Sequence, residues 1–352
     1  MTVETVARQP GAPKYKDMIA RRLAWLISGA IVLIVAIITD ILIGPAFLNV
    51  WDVVTAIIAP AKATAVVQVI VHDIRLPMTL MAVLVGMSLG VAGVHMQTIL
   101  NNPLASPYTL GFSAAAGFGA ALVILTGFSL PFVPIMTIPL AAFIMSGFAA
   151  ALVYGFARMR SMSPEVMVLA GIATLFLFQS MQSLVQYLAS PEVLQAIVFW
   201  LFGSLLKASW ANVPIVAVIF VLCIIALLPN TWQLTALRLG DDRAAAIGVN
   251  VRNLRAKVFI IVALLTAGAV AFVGTIGFIG LVAPHIARIL VGEDQRILLP
   301  MAAIIGALTM VFASILSKII TPGGVIPIGI VTAVIGVPFL YLLILRGYRR
   351  HW

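Results

Sequence analysis

The residue types that carry enzymatic or metal chemistry are few in this 352-residue chain, and their spacing forms no motif. The chain lacks HExxH and the GxxxxGKS/T phosphate loop, and no carboxylates stand at metal-ligand spacing from a histidine. We therefore predict no catalytic residue, no metal site and no cofactor of its own, so any ATP-driven step must use an ATPase on another subunit. The single cysteine, Cys223, lies in an apolar run, which excludes an intrachain disulfide and predicts a small packing residue. The four histidines are scattered: His72, His95, His285 and His351.

Paired charges mark the stretch 229–256, the longest polar interruption in the later part of the chain. Its charged centre contains Arg238, Asp241, Asp242 and Arg243. The AAAIG that follows predicts a short helix beginning near Asp241 as cap and ending at Gly248, with a further turn beginning at Asn250. The stretch is either a solvated connector or a docking surface for a soluble partner. Its length, helical signals and paired charges favour docking.

Other polar residues lie inside apolar segments. One helical face of the segment 165–188 carries Gln179, Gln182, Ser183 and Gln186. Because amides in hydrocarbon are costly without partners or water, this face either lines a polar pathway or holds two helices together.

Near the inner end of the segment 76–100, we expect His95 to be packed and hydrogen-bonded. Gly86 and Gly90 form a GxxxG spacing, followed by Gly93, which predicts close approach of another helix.

The elements that position these residues are membrane-spanning helices. The composition is 63% apolar and only 9% charged, which excludes a water-soluble protein. Apolar segments near the length of about 20 residues that crosses a bilayer predict an all-α, polytopic membrane protein of about ten helices. The predicted spans are 23–44, 76–100, 107–126, 132–156, 165–188, 210–228, 257–279, 281–292, 298–320 and 327–345.

The net charge of +10 orients these spans. With a cytoplasmic N terminus, all but four of the 21 Lys and Arg residues fall on the inner side, as the positive-inside rule requires. The outer side is balanced, with Lys62, Arg75, Lys207 and Lys318 against Asp40, Asp52, Asp73 and Glu192. Because membrane topology accounts for the positive charge, that charge no longer indicates nucleic-acid binding. Residues 1–22 and 347–352 are expected to form cytoplasmic tails.

The outer segment 189–209 is apolar but interrupted by Pro191, Glu192 and Gly203. A further span here would place the basic stretch 229–256 outside, against the charge rule. We predict instead a short helix at the outer face.

Four stretches in order resemble the permease subunits of FecCD-type importers, the bacterial ABC transporters for ferric siderophores, haem and vitamin B12. They are LVGMSLGVAGVHMQTILNNPLASPYTLG, LGDDRAAAIGVNVRNLR, GTIGFIGLVAPHIARILVGEDQRILLP and IPIGIVTAVIGVPFLYLLI. The resemblance covers about Arg75 to Arg346. It implies a permease domain over 23–346 in a bacterial inner membrane, paired as a homodimer or with a homologous permease. It also implies two cytoplasmic subunits that bind ATP and Mg, and a substrate-binding protein on the outer face.

The resemblance also implies residue roles. Within 229–256, the ATPase-coupling residues would be Arg238, Leu239, Gly240, Asp241, Asp242, Arg243, Ala244, Ile247 and Gly248. A supporting cytoplasmic loop would consist of Asn102, Pro103, Leu104, Ala105 and Pro107, although a helix stop and restart explains the prolines equally well. The pathway would be lined by the fifth and tenth spans, through Gln179, Gln182, Ser183, Gln186, Gly329, Thr332 and Gly336. An outer gate would include Trp200, Gly203 and Ser204.

The chain departs from the family at its outer face. Ser314 and Val325 stand where acidic residues are common, near the basic Lys318, so we expect this charge network to be rebuilt or absent. The permease itself is expected to hold little of the specificity. The resemblance implies a ferric siderophore as the cargo, the commonest role in the family, with haem or cobalamin next. The alternative is an ion-coupled secondary transporter or channel without an ATPase, which the lack of paired intramembrane carboxylates disfavours.

Overall fold

The computed structural model describes residues 15–46, 48–321 and 323–347, and over these residues it is helical, with no β-strand. The helices are α1 (Tyr15–Leu42), α2 (Val50–Ile58), α3 (Ala65–Gln68), α4 (Leu76–Ile99), α5 (Phe112–Thr126), α6 (Thr137–Met159), α7 (Pro164–Leu188), α8 (Pro191–Leu201), α9 (Val213–Leu227), α10 (Thr231–Leu237), α11 (Asp241–Ala246), α12 (Val251–Val273), α13 (Ile279–Val291), α14 (Gln295–Ile319) and α15 (Ile328–Gly347). Most of the two predicted tails, 1–14 and 348–352, lies outside the described residues, whereas 15–22 belong to α1.

Each of the ten predicted spans overlaps one of these helices. Within the described residues, seven helical stretches are long and apolar enough to cross a bilayer, and shorter apolar helices such as α5 and α13 pack among them. The predicted all-α, polytopic membrane architecture is confirmed.

Two helices extend beyond the apolar segments that predicted them. The first runs over Ala65–Ile99 and contains a π-helical stretch, Val69–Arg75. Pro77 follows this stretch and has no N–H to donate, so the wider π turn accommodates the break in the hydrogen-bond ladder. The second runs over Val213–Leu237, and Pro229 lies at the start of its 3-10 turn, where the missing N–H is not needed. Most of the predicted 229–256 loop is therefore helical.

The centre of the bundle is formed by α4, α12 and α14, which are mostly buried, whereas only 6% of the apolar stretch of α1 is buried. The predicted glycine contact is confirmed on α4. A Cβ on Gly86 would lie 2.4 Å from the carbonyl oxygen of Gly306 on α14, and one on Gly90 would lie 2.3 Å from that of Ala302. A Cβ on Gly93 would lie 2.1 Å from the carbonyl oxygen of Gly280 on α13. Only glycine permits these approaches of backbone to backbone.

Short helices cover the end of the bundle opposite α11. The predicted outer helix is present as α8, and its 11 residues are too few to cross a bilayer. Ser190 caps it by accepting a hydrogen bond from the Val193 N–H at 3.4 Å. The helix α2, which hydropathy did not predict, buries Val53 and Ala56.

Candidate functional site

The short helix α11 lies at the end of the bundle that the charge pattern assigns to the cytoplasm, called the inner end below. Two glycines with left-handed backbone bound it, Gly240 with φ +101° and Gly248 with φ +90°. The predicted helix is present, and so is the turn beginning at Asn250, whose side chain accepts a hydrogen bond from the Asn253 N–H at 3.1 Å. The predicted cap is wrong, because Gly240 rather than Asp241 occupies the N-cap position and no side chain caps α11.

The side chain of Asp241 binds Arg255 on α12 instead. Arg255 Nη2 donates to Asp241 Oδ1 at 2.8 Å and to Oδ2 at 3.0 Å. The same guanidinium donates to the carbonyl oxygen of Ile99, at the end of α4, at 2.7 Å, and to that of Met162, between α6 and α7, at 3.0 Å. Arg255 is only 2% exposed, so its charge requires these acceptors. This one side chain ties α11 to α4, α12 and the α6–α7 connection.

A second ionic group joins Arg238, between α10 and α11, to α13 and α4. Arg238 Nη2 donates to Glu293 Oε1 at 3.0 Å, and Arg288 Nε donates to Glu293 Oε2 at 3.2 Å. Arg288 also donates to the side-chain oxygen of Gln97 on α4. The charged residues on both sides of α11 are thus bound to the bundle rather than free for a partner.

Arg255, Arg288 and Glu293 were not among the predicted site residues. In the sequence, the two arginines are visible only as charges of the inner side. A usable signal was present for Arg288, which lies in the otherwise apolar stretch 281–292. An arginine within such a segment has to find an acceptor inside the protein.

The face of this region that points away from the bundle combines exposed apolar and charged side chains. Leu239 is 57% exposed and Ile247 is 51% exposed, whereas Ala244 is fully buried against the protein. Asp242 and Arg243 are exposed and form no ion pair with any residue that the structure describes. An exposed apolar pair with unpaired charges of both signs is typical of a docking surface.

The predicted supporting loop lies beside this region. Arg238 Nη1 is 3.5 Å from Asn101 Oδ1, immediately before the loop, and the His285 ring is 3.1 Å from the carbonyl oxygen of Pro103. Asn102 Oδ1 accepts a hydrogen bond from the Leu104 N–H at 2.9 Å. The Leu104 side chain is 65% exposed. The other loop residues, Ala105 and Pro107, are buried.

The predicted pathway residues of the fifth span are on α7. Gln179 and Ser183 are exposed, and Gln182 and Gln186 are partly buried. A Cβ on Gly117 of α5 would lie 2.5 Å from the side-chain oxygen of Gln182, so this amide packs directly on α5.

The predicted pathway residues of the tenth span are on α15 and are closely packed. A Cβ on Gly329 would lie 2.3 Å from the Phe202 carbonyl oxygen, and one on Gly336 would lie 2.4 Å from the Phe278 Cβ. Thr332 is buried, and its hydroxyl donates to the Gly329 carbonyl at 3.0 Å. Gly329 lines a cavity of about 500 Å³ that none of the four α7 residues lines. The pathway role of both sets stays a prediction.

The predicted outer gate is a junction of three non-helical backbone segments. The Ser204 N–H donates to the Val273 carbonyl at 2.7 Å, and the Ile328 N–H donates to the Gly203 carbonyl at 3.0 Å. Gly203 has a left-handed φ of +71°, and Trp200 is 3% exposed. Non-helical backbone at membrane depth is tolerated where such bonds satisfy it.

This arrangement of helices has close relatives among known proteins. The model of the FecCD transport family matches residues 32–346, which is most of the chain. The chain belongs to the FecCD transport family. Its relatives include the Fe(3+)-citrate import system permease protein YfmE of Bacillus subtilis, 38% identical over 322 residues, which are 89% of this chain and 92% of that one. The hemin transport system permease protein HmuU of Yersinia pestis is 37% identical over 278 residues, 78% of this chain and 82% of that one.

A solved structure supports the same assignment. An ABC transporter assigned to the metal-chelate type, in an inward-facing conformation, aligns with a TM-score of 0.81 and 32% identity, covering 91% of this chain and 98% of that one. The FecCD chain is therefore a multi-pass membrane permease subunit of an ABC transporter.

At the outer face, where this FecCD chain lacks the acidic residues expected near Lys318, a residue of α1 supplies the acidic partner. Lys318 Nζ donates to Asp40 Oδ1 at 2.7 Å and to the Asp40 carbonyl at 2.9 Å, and the Thr79 hydroxyl donates to Asp40 Oδ2 at 2.5 Å. Arg75 donates to the carbonyls of Ile41 and Leu42 at the end of α1, and to that of Ala46 just beyond it. The network is rebuilt with Asp40, while Ser314 is buried with an unpaired hydroxyl.

This network corrects one part of the charge assignment. Asp40, Arg75 and Lys318 were expected on or near the outer side as charges that balance one another, but all three are buried. They are internal because each finds its partner on another helix.

The remaining candidates are packing residues. Cys223 is buried, with its sulfur 3.9 Å from the Ile261 carbonyl oxygen, as predicted. His95 is fully buried, and its Nδ1 lies 2.7 Å from the Val91 carbonyl oxygen, as predicted. Among the described residues, no group of three or more His, Cys, Asp or Glu side chains could hold a metal ion.

Proposed function

We propose that this chain is the membrane subunit of an ATP-driven importer that carries an iron chelate, a ferric siderophore first, with haem or cobalamin as the other candidates. The names of its relatives, which concern ferric citrate and hemin, support this class of cargo. In this proposal the chain pairs with itself or with a homologous permease in a bacterial inner membrane, with both termini in the cytoplasm. Two cytoplasmic subunits bind ATP and Mg, and a substrate-binding protein delivers cargo at the outer face.

The observation that carries this proposal is the anchored helix α11. Its exposed side bears unpaired charges and is flanked by the exposed Leu239 and Ile247, while Asp241 is held by the buried Arg255. A surface that only had to be solvated would need neither the apolar side chains nor the internal anchor.

The anchor explains how a docked ATPase would act on the membrane helices. Movement of α11 pulls on Arg255, whose other hydrogen bonds hold the end of α4 and the α6–α7 connection. The ion pair of Arg238 with Glu293 joins the same region to the α13–α14 connection. Force applied at one short helix is thereby distributed to several spans, which is what a change of access requires.

The test is ATP-driven uptake of a radioactive ferric chelate by cells that carry the whole system, with co-purification of the ATPase as a second measurement. Charge reversal Arg243→Glu should lower both by about tenfold, because a mismatched charge at an interface weakens association. The matched control is Arg158→Glu, another exposed arginine at the inner end, which should leave both within twofold.

Two results would contradict the proposal. One is wild-type co-purification and uptake with Arg243→Glu. The other is transport by the purified chain alone, driven by an ion gradient, which would favour the secondary transporter or channel.

A further inference from the structure

A cavity of about 500 Å³ lies at the outer end of the protein, between the α5–α6 connection and α8. Its wall is largely apolar and includes Ile124, Phe128 and Trp200. Polar groups enter it from Thr137 and Lys207.

Lys207 is a cation that has no carboxylate partner among the residues that the structure describes. Its Nζ lies 5.7 Å from the centre of the Trp200 ring, within the range of a cation–π contact. In the part of the chain that the structure describes, no carboxylate lies within ion-pairing distance of it, and its ammonium has no hydrogen-bond acceptor. Lys207 as a whole is exposed, while partial desolvation of its ammonium lowers the pKa of Lys207 from its ordinary value. A lysine placed in this way gains from an anion that enters the cavity.

The cavity and the one beside Gly329 are lined by consecutive residues at the end of α8. Trp200 lines the outer cavity, whereas the next two residues, Leu201 and Phe202, line the second cavity. The second cavity extends toward Tyr108, near the inner end. The end of α8 therefore contributes to both a space at the outer face and a space that extends inward.

We propose that the outer cavity is a binding site for a negatively charged metal chelate, in which Lys207 holds the negative charge and Trp200 contacts the apolar or aromatic part. This rests on the proposed function and adds to it a preference for anionic chelates over neutral ones of similar size. A phosphate group of a lipid has the same charge chemistry, and the test separates the two sources.

The test measures binding of iron-55 ferric citrate to the purified full chain in nanodiscs of phosphatidylcholine. Lys207→Gln should raise the Kd for ferric citrate about fivefold, the upper range for one partly exposed charge pair. Lys207→Arg should keep the Kd within about twofold, since it retains the charge. Raising the salt concentration should weaken binding to the wild-type chain and leave Lys207→Gln nearly unchanged.

Two controls make the result specific. Lys62→Gln removes another exposed lysine of the outer side, which lines neither cavity, and should leave the Kd unchanged. A neutral ferric trihydroxamate should bind the wild-type chain and Lys207→Gln equally, because it offers no charge to the lysine. This control also shows whether the variant is folded.

The proposal is overturned by equal Kd values for ferric citrate in the wild-type chain and Lys207→Gln, or by an equal loss for both chelates. Displacement of ferric citrate by added phosphatidylglycerol, in the wild-type chain but not in Lys207→Gln, would assign the cavity to a lipid headgroup instead. Failure of the proposed function is a different result: cells carrying the whole system would then take up neither chelate.

Discussion

Lys318→Met is expected to destabilise the fold strongly, because it leaves the Asp40 carboxylate buried without its cation. The lysine makes two hydrogen bonds to Asp40, at 2.7 and 2.9 Å, and both side chains are almost fully buried. Removal of one partner from a buried ion pair costs about 3–5 kcal/mol. With about 2.1 cal/mol/K of unfolding entropy per residue over a chain of this length, this lowers the unfolding midpoint by about 4–7 °C.

The single buried cysteine provides the assay. Cys223 is 5% exposed, so a thiol-reactive fluorescent dye reacts with it only when the surrounding helices separate. Melting curves of wild-type and variant chains, recorded at one scan rate in the same detergent, give the shift in midpoint.

Two further variants distinguish the ion pair from a general effect of the substitution. Lys62→Met makes the same change at an exposed lysine of the outer side and should move the midpoint by less than about 1 °C. Asp40→Leu combined with Lys318→Met removes both charges, and should recover most of the loss, because apolar pairs replace buried ion pairs well. The reasoning is refuted if Lys318→Met melts like Lys62→Met, or if the double variant is as unstable as the single one.

The same dye assay tests two other features of the bundle. Gly86→Ala should lower the midpoint, because its Cβ would meet a backbone carbonyl on α14. The control Gly147→Ala on α6 has open space around its Cβ and should be neutral or stabilising by up to about 1 kcal/mol. Equal midpoints for the two variants would contradict this. Arg255→Ala should cost about 3 kcal/mol, since it leaves buried acceptors unpaired, and a loss below about 1 kcal/mol would contradict the assigned contacts. The hydrogen bond from Arg296 lowers the pKa of Asp294. The charge of Asp294 therefore stabilises the fold above the ordinary carboxyl pKa, and this contribution is lost as the pH falls through the lowered value. Tryptophan fluorescence should show Asp294→Asn less stable than wild type at pH 6 and equal to it in strong acid.

The positions of the spans could be predicted from the sequence because apolar length and charge are local properties. The same holds for α11, whose bounding glycines Gly240 and Gly248 are visible in the sequence. Asp241 was misassigned as a cap because a carboxylate at a helix start satisfies the local pattern, while its actual partner, Arg255, lies on another helix.

Contacts between distant parts of the chain could not be predicted in this way. Asp40 and Lys318 are 278 positions apart, and each taken alone resembles an ordinary charge near the membrane surface. The glycines of α15 show the same limit, because a glycine that faces a pathway and one that packs on Phe202 give the same sequence pattern.

The backbone contact between α4 and α14 also restricts how this protein can change shape. Helices that slide past one another do so by exchanging rotamers in a layer of side chains, and between Gly86 and Gly306 there is no such layer. If α4 shifted by one residue along α14, a Cβ would collide with a carbonyl oxygen. The two helices are therefore expected to move as one rigid unit. Any change of shape then has to occur between other elements, for example where the backbone is not helical, at 202–204 and 274–278.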